Sequence, residues 1–367
     1  MSLAIGYGIG MLLVHLFGGS GKASAADEPI DKMKMLWAIL IAFIALVVSF
    51  FTNAILHEAG HMACGLLTGY RFLSFRILSF TLQKEDDGFH FKKFSYMGTA
   101  GQCLMIPPES SDIPYFWYNA GGVLVNLLVC AISGALLCFL DLSAVPLSFC
   151  LMFLITGAYM LITNAIPMKA GGIPNDGMNL LILCRHPEQR KYFRNMMAIA
   201  AGQSHGLRLI EMPEEWFESE PITKDSTVMN LAGRNLYYSL LIDQFRFEEA
   251  HAITEEMLAN ESNLPGLYLM EVSCDHLLLE LVTKNRFDVV NGLWNRKTNN
   301  MPLSKYITVY SKYLPLKCAV LFAYELINNQ NADAAQKYYD EVKSRLDCYT
   351  QKGEALTALA IMDKIRS

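Results

Sequence analysis

The chain has 367 residues, 53% hydrophobic and 18% charged, which is too apolar for an ordinary water-soluble protein and leaves room for two or three domains. A formal net charge of -5, without any cluster of lysine or arginine, gives no support for nucleic-acid binding. The nine cysteines are an odd, scattered set without C-x-x-C spacing, so they read as reduced core residues rather than a disulfide framework.

Residues 1–34 form an N-terminal apolar segment and a loop. Ser2 to Phe17 is apolar and glycine-rich but shorter than a typical span, and the Ala23-Ser24-Ala25 after it is similar to a signal-peptidase site. No basic residue precedes the apolar run, so it reads as a short extra membrane segment, with His15 as a packed or interfacial histidine. Met35 to Ala54 follows, some twenty uncharged, mostly apolar residues that run into His57-Glu58-Ala59-Gly60-His61. Tyr115 to Leu140 and Leu142 to Pro167 are also long enough to cross a bilayer. Only Asp141 and its neighbours separate these two, which makes them an antiparallel pair.

The polar stretch between the first and second spans, Gly69 to Pro114, contains Arg71, Arg76, Lys84, Lys92 and Lys93, an excess of basic residues that places it on the cytoplasmic side. Lys169, Arg185, Arg190, Lys191 and Arg194 after the third span put the second half of the chain there too. Within the loop, Phe72 to Gln83 and Gly88 to Tyr96 read as a β-hairpin turning at Glu85 to Gly88. His90 falls on its second strand as an exposed histidine, and Gly98 to Met105 reads as a further short strand stopped by Pro107-Pro108.

Beyond Arg185 the chain is charged and reads as soluble. Residues 185–234 are expected to be a linker, with an acidic stretch from Glu211 to Pro221. In residues 235–367 amphipathic helix pairs recur, with second helices opening at Arg246 to Ala250, Arg286 to Val290 and Asn331 to Ala335. A spacing near ~40 residues is similar to that of a degenerate tetratricopeptide-like repeat, which binds peptides or proteins on a concave face; an ordinary helical bundle is the alternative.

The chemistry concentrates in the H-E-x-x-H motif. On a helix, residues four apart share a face, so His57 and His61 can offer two imidazoles to one tetrahedral ion while Glu58 reaches its bound water. A helix rises about 33 Å from Met35 to His57, which brings the first ligand near the inner edge of a hydrocarbon core of about 30 Å. The third span ends on the same side, in Asn164-Ala165-Ile166-Pro167, and Asn175-Asp176-Gly177 follows a glycine-rich break. Asp176 is the natural third ligand, although Asn-Asp-Gly alone is a common turn.

Together these pieces resemble the site-2 protease family of intramembrane zinc metalloproteases, over roughly residues 35–184. His57 to His61 is similar to the family's first-helix motif, Gly121-Gly122-Val123-Leu124-Val125-Asn126 to its A-G-P-x-x-N element, and Asn164 to Pro167 with Asp176-Gly177 to its N-x-x-P and L-D-G. Val123 stands where the family has proline, Asn175 where it has leucine, and the interval from Asn164 to Asp176 is longer than usual. The resemblance implies that His57, His61 and Asp176 hold Zn2+ and that Glu58 is the general base. It also implies a mainly α fold: a polytopic three-helix metalloprotease core with a small β-hairpin sheet, followed here by the soluble α-helical, tetratricopeptide-like domain. Asn126 and Asn164, polar groups in apolar helices, read either as helix–helix hydrogen bonders or as substrate-positioning residues.

The implied partners are the lipid bilayer, a membrane-spanning or membrane-associated protein or peptide as substrate, and a cytoplasmic protein or peptide on the helical domain. The implied setting is a bacterial cell membrane, crossed several times. A membrane scaffold that keeps the fold without hydrolysis is the alternative, against which the intact Glu58 speaks; three core spans give little support to a metal transporter.

Overall fold

A computed structural model describes residues 32–93, 101–110, 113–170, 172–298 and 301–367. The N-terminal segment Ser2 to Phe17, with His15, lies outside them, as do Gly98 to Ala100 of the expected further strand. Helices α1 (Lys32–Leu67), α2 (Tyr115–Phe139) and α3 (Ala144–Ala165) are each long and apolar enough to cross a membrane. They pack as a bundle whose polarity is the inverse of a water-soluble one. Trp37, Ile39, Phe43, Phe51 and Ile55 of α1 are exposed, whereas Ala42, Ala45, Ser49, Asn53, His57 and His61 face inward. Small and polar residues on the inner face are what helices in lipid use to approach and to bond one another. Asn53 Nδ2 accordingly donates to Thr156 Oγ1 of α3 at 2.8 Å.

The α1–α2 contact is made by glycine. A Cβ on Gly60 would lie 2.4 Å from the carbonyl oxygen of Gly121, and one on Gly121 would lie 2.3 Å from that of Gly60. The two backbones touch, beside His57 and His61.

Between α1 and α2 lies an antiparallel sheet in the order β3-β2-β1-β4, built from β1 (Arg71–Ile77), β2 (Phe80–Glu85), β3 (Gly88–Lys93) and β4 (Gly101–Ile106). The expected hairpin turn at Glu85 to Gly88 joins β2 and β3. The expected single strand from Phe72 to Gln83 is instead two strands, folded back at Leu78-Ser79 so that Ile77 pairs with Phe80. Leu78 takes a φ of 53° there. A leucine in that left-handed region carries no sequence signal for a turn, which is why the run reads as continuous.

After α3 the chain makes a small hairpin, β5 (Lys169–Ala170) with β6 (Ile173–Pro174), and enters α4 (Asp176–Arg185). Residues 185–234, expected as a linker, are folded. Helix α5 (Gln189–Ser204) occupies much of that stretch, and its Phe193 and Met197 join Tyr70, Cys103, Met105, Leu183 and Met229 in one buried cluster. The acidic stretch after it forms two short 3-10 turns whose Phe217 is buried against Ile199, Met212 and Leu240. Apolar contacts therefore run without a break from the sheet into the helical half.

That half consists of α6 (Val228–Asp243), α7 (Phe247–Ala259), α8 (Gly266–Val282), α9 (Phe287–Asn295), α10 (Leu303–Tyr310), α11 (Pro315–Ala323), α12 (Ala332–Ser344) and α13 (Lys352–Arg366). Helices α7, α9 and α12 open at Phe247, Phe287 and Ala332, with Arg246, Arg286 and Asn331 at their caps. Helix α8 is the buried centre; Val272, Cys274, Leu277 and Leu279 are fully enclosed. The half also docks on the sheet, where Lys92 Nζ donates to the carbonyl of Tyr349 at 2.8 Å and Gln83 Nε2 to that of Thr350 at 3.0 Å.

Candidate metal centre

Helix α1 runs without interruption through His57-Glu58-Ala59-Gly60-His61, and its four-residue spacing turns both imidazoles into the bundle. Helix α4 brings in Asp176 as its first residue. The three atoms His57 Nε2, His61 Nε2 and Asp176 Oδ2 form a nearly equilateral triangle, with separations of 3.2 Å between the imidazoles and 3.1 and 3.3 Å to the carboxylate. A tetrahedral zinc site with ligands at about 2.0 Å has ligand–ligand edges of about 3.3 Å, so the triangle is of the size to form one face of such a site.

The far sides of both rings are fixed. His57 Nδ1 donates to Asn126 Oδ1 at 2.6 Å and His61 Nδ1 to the carbonyl of Tyr118 at 2.7 Å. Each ring thus carries its proton on Nδ1 and presents a lone pair at Nε2. Among the described residues no lysine or arginine pairs with Asp176, and its Oδ2 has no hydrogen-bond partner. Two neutral imidazoles and one carboxylate without a counter-cation fit a divalent ion.

The long interval from Asn164 to Asp176 is absorbed by the β5–β6 hairpin, whose base Asn175 closes. Asn175 Oδ1 accepts from the amides of Met168 and Met178, and Nδ2 donates to the carbonyls of Thr163 and Ile166. The hairpin loops out, and Asp176 enters at the height of the histidines. Gly177 makes the fit possible, since a Cβ there would lie 2.2 Å from the carbonyl oxygen of Ala165.

Glu58, half-buried, lies against strand β4. A Cβ on Gly101 would come within 2.7 Å of Glu58 Oε1, and the Glu58 carboxylate accepts from the backbone N–H of Cys103. Gly122 likewise yields space to the His57 ring, from which a Cβ would be 2.5 Å away.

The structure thus brings together His57, Glu58, His61 and Asp176 and sets Asn126 behind His57. Asn164 turns its amide back to the carbonyl of Met160 in its own helix, at 2.9 Å. Sequence reasoning missed Tyr118, which acts on His61 through a backbone carbonyl, and Asn175, whose cap-forming type at the start of α4 was the available signal. Gly101 and Gly122 were missed as well, because their role is the space they leave.

Compared with protein-family models, with curated proteins and with solved structures, the chain finds no match in any of the three. The class of the molecule rests on its own residues: a mainly helical chain with three helices able to cross a membrane, a small antiparallel sheet and a metal-sized triangle of ligand atoms at the end of α1.

Proposed function

We propose that the chain is an integral-membrane zinc endopeptidase of the site-2 type, which cleaves a membrane-spanning or membrane-associated protein or peptide. The observation that carries this reading is the convergence of His57 Nε2, His61 Nε2 and Asp176 Oδ2 beside Glu58, on a helix long enough to cross a bilayer. Zinc bound there would supply acidity to a coordinated water and polarise a scissile carbonyl.

The chain's own groups perform the remaining tasks. Glu58 takes a proton from the attacking water and delivers it to the leaving amine. Asn126 and the Tyr118 carbonyl hold both imidazoles in the ligating tautomer. A helical substrate hides its carbonyls in hydrogen bonds, so the segment to be cut unwinds, and the hairpin edge of the sheet at β3 offers it a strand to align with. The basic residues of the sheet-bearing loop favour a cytoplasmic position for the sheet and the helical half. In that position a tetratricopeptide-like array of helix pairs would receive a protein or peptide that selects or regulates substrate.

The test is a comparison of new protein N-termini in membranes that contain the wild type or Glu58→Gln. Glu58-dependent termini within or beside apolar segments are expected. Identical termini together with an unchanged phenotype would support the non-proteolytic scaffold instead.

A further inference from the structure

Tyr118 of α2 touches the centre in two ways that the proposed chemistry has not used. Its backbone carbonyl accepts from His61 Nδ1 at 2.7 Å, and its hydroxyl donates to the carbonyl of Cys103 in β4 at 2.8 Å. Cys103 is the residue whose N–H is held by Glu58. Both backbone groups of Cys103 therefore point away from β1, toward the helices, so its neighbours Gln102 and Leu104 face Arg76 and Ser74. Strand β4 is thus tied to the centre at one residue, by the base on its N–H and by Tyr118 on its carbonyl.

The ring of Tyr118 is itself wedged. It stacks on Tyr70 at 5.1 Å with an interplanar angle of 12°, and meets Phe193 of α5 at 6.3 Å. The two hydroxyls differ: among the described residues that of Tyr70 is buried without a hydrogen-bond partner, while that of Tyr118 has Cys103.

We propose that Tyr118 is the positioning residue of this centre: its hydroxyl fixes β4 through Cys103, so that the strand edge and Glu58 keep one geometry relative to His61. This deepens the proteolytic reading and rests on it for its catalytic consequence; the tie between Tyr118 and β4 stands apart from that reading. The ring contact with Phe193 makes Tyr118 one of the points where α5 meets α2 beside the centre.

Removing only the hydroxyl tests this in the full-length protein. Tyr118→Phe keeps the ring and the carbonyl that orients His61, and Tyr70→Phe removes a neighbouring hydroxyl that bonds none of the described residues. The first readout is the rate at which N-ethylmaleimide alkylates buried Cys103 in metal-free protein, followed by peptide mass spectrometry. Loss of one hydrogen bond of about 1 kcal/mol corresponds to about fivefold faster alkylation in Tyr118→Phe, with no change in Tyr70→Phe. The second is hydrolysis of a quenched fluorescent peptide built on a Glu58-dependent cleavage site. A fall in kcat of about 10-fold to 100-fold is expected for Tyr118→Phe, with KM within about twofold, one zinc per chain and an unchanged Tm.

Wild-type alkylation and kcat in Tyr118→Phe would overturn the proposal. So would equal losses in both variants, which would mean that the pair serves packing alone. A wild type without any Glu58-dependent cleavage overturns the proteolytic reading, and the alkylation rates still report whether Tyr118 holds β4.

Discussion

Two histidine–carboxylate clusters, one in each half of this molecule, share residue types but differ in how their polar atoms are used. In the membrane half, His57, His61 and Asp176 converge; in the helical half, His251, His276 and Glu280 do so, all buried. The second cluster is internally satisfied. Arg286 donates to both oxygens of Glu280, from Nε at 2.9 Å and Nη2 at 2.7 Å, and His251 Nε2 adds a bond at 2.9 Å. These bonds, those of the Arg286 side chain first, hold Glu280 down at about 2, and the guanidinium stands where a dication would need to be. His276 gives its Nδ1 proton to Thr254 Oγ1, whose own proton goes to the carbonyl of His251. In the membrane half the imidazole protons also have partners, but the Nε2 atoms and the carboxylate oxygen converge on one point, and among the described residues no lysine or arginine pairs with that carboxylate. Residue type and proximity are shared; unspent lone pairs around a common centre are what separates a ligand set from a structural network.

Metal content distinguishes the two clusters most strongly. His57→Ala and His61→Ala are each expected to remove the one zinc per chain read by elemental analysis, whereas His251→Ala and His276→Ala leave it in place. Zinc lost from the helical-half variants, in protein that remains folded, would reverse the assignment. A smaller effect is expected behind the ligands. Asn126→Leu removes the acceptor that orients His57 and should weaken zinc binding by about 10-fold to 100-fold in a competition titration with a chelator.

The smallest effect separates the clusters by pH. Burial, and then the neighbouring His251, lower His276 to about 4 from the ordinary imidazole value of about 6.5. Because the folded state binds the proton less readily than the unfolded one, this group leaves stability undiminished above about 6.5 and subtracts from it progressively as pH falls toward about 4. Unfolding of the helical half, followed by tryptophan fluorescence, should show that loss, and His276→Gln should flatten it. An equal acid dependence in both proteins would remove His276 from the account.

Much of this architecture is legible in the chain because it rests on short-range pattern. Runs of apolar residues announce α1, α2 and α3, and His57, Glu58 and His61 lie within a single turn of one another. Asp176 is harder, since its approach depends on the β5–β6 hairpin looping out and on Asn175 closing that loop. What the letters hide is what depends on close approach or on the backbone. The turn at Leu78-Ser79 lacks glycine, asparagine and aspartate; the fold of residues 189–217 depends on partners in both halves; and Tyr118 orients His61 through a carbonyl that every residue possesses. Gly101 and Gly122 matter only because Glu58 and His57 occupy the space beside them.

Purified Glu58→Gln protein tests the central claim most directly when zinc content and peptide-bond hydrolysis are measured on the same sample. The account predicts one zinc per chain, as in the wild type, with hydrolysis reduced by at least about 10³-fold. Hydrolysis at the wild-type rate in Glu58→Gln, or a wild type that binds no zinc at His57, His61 and Asp176, would contradict it.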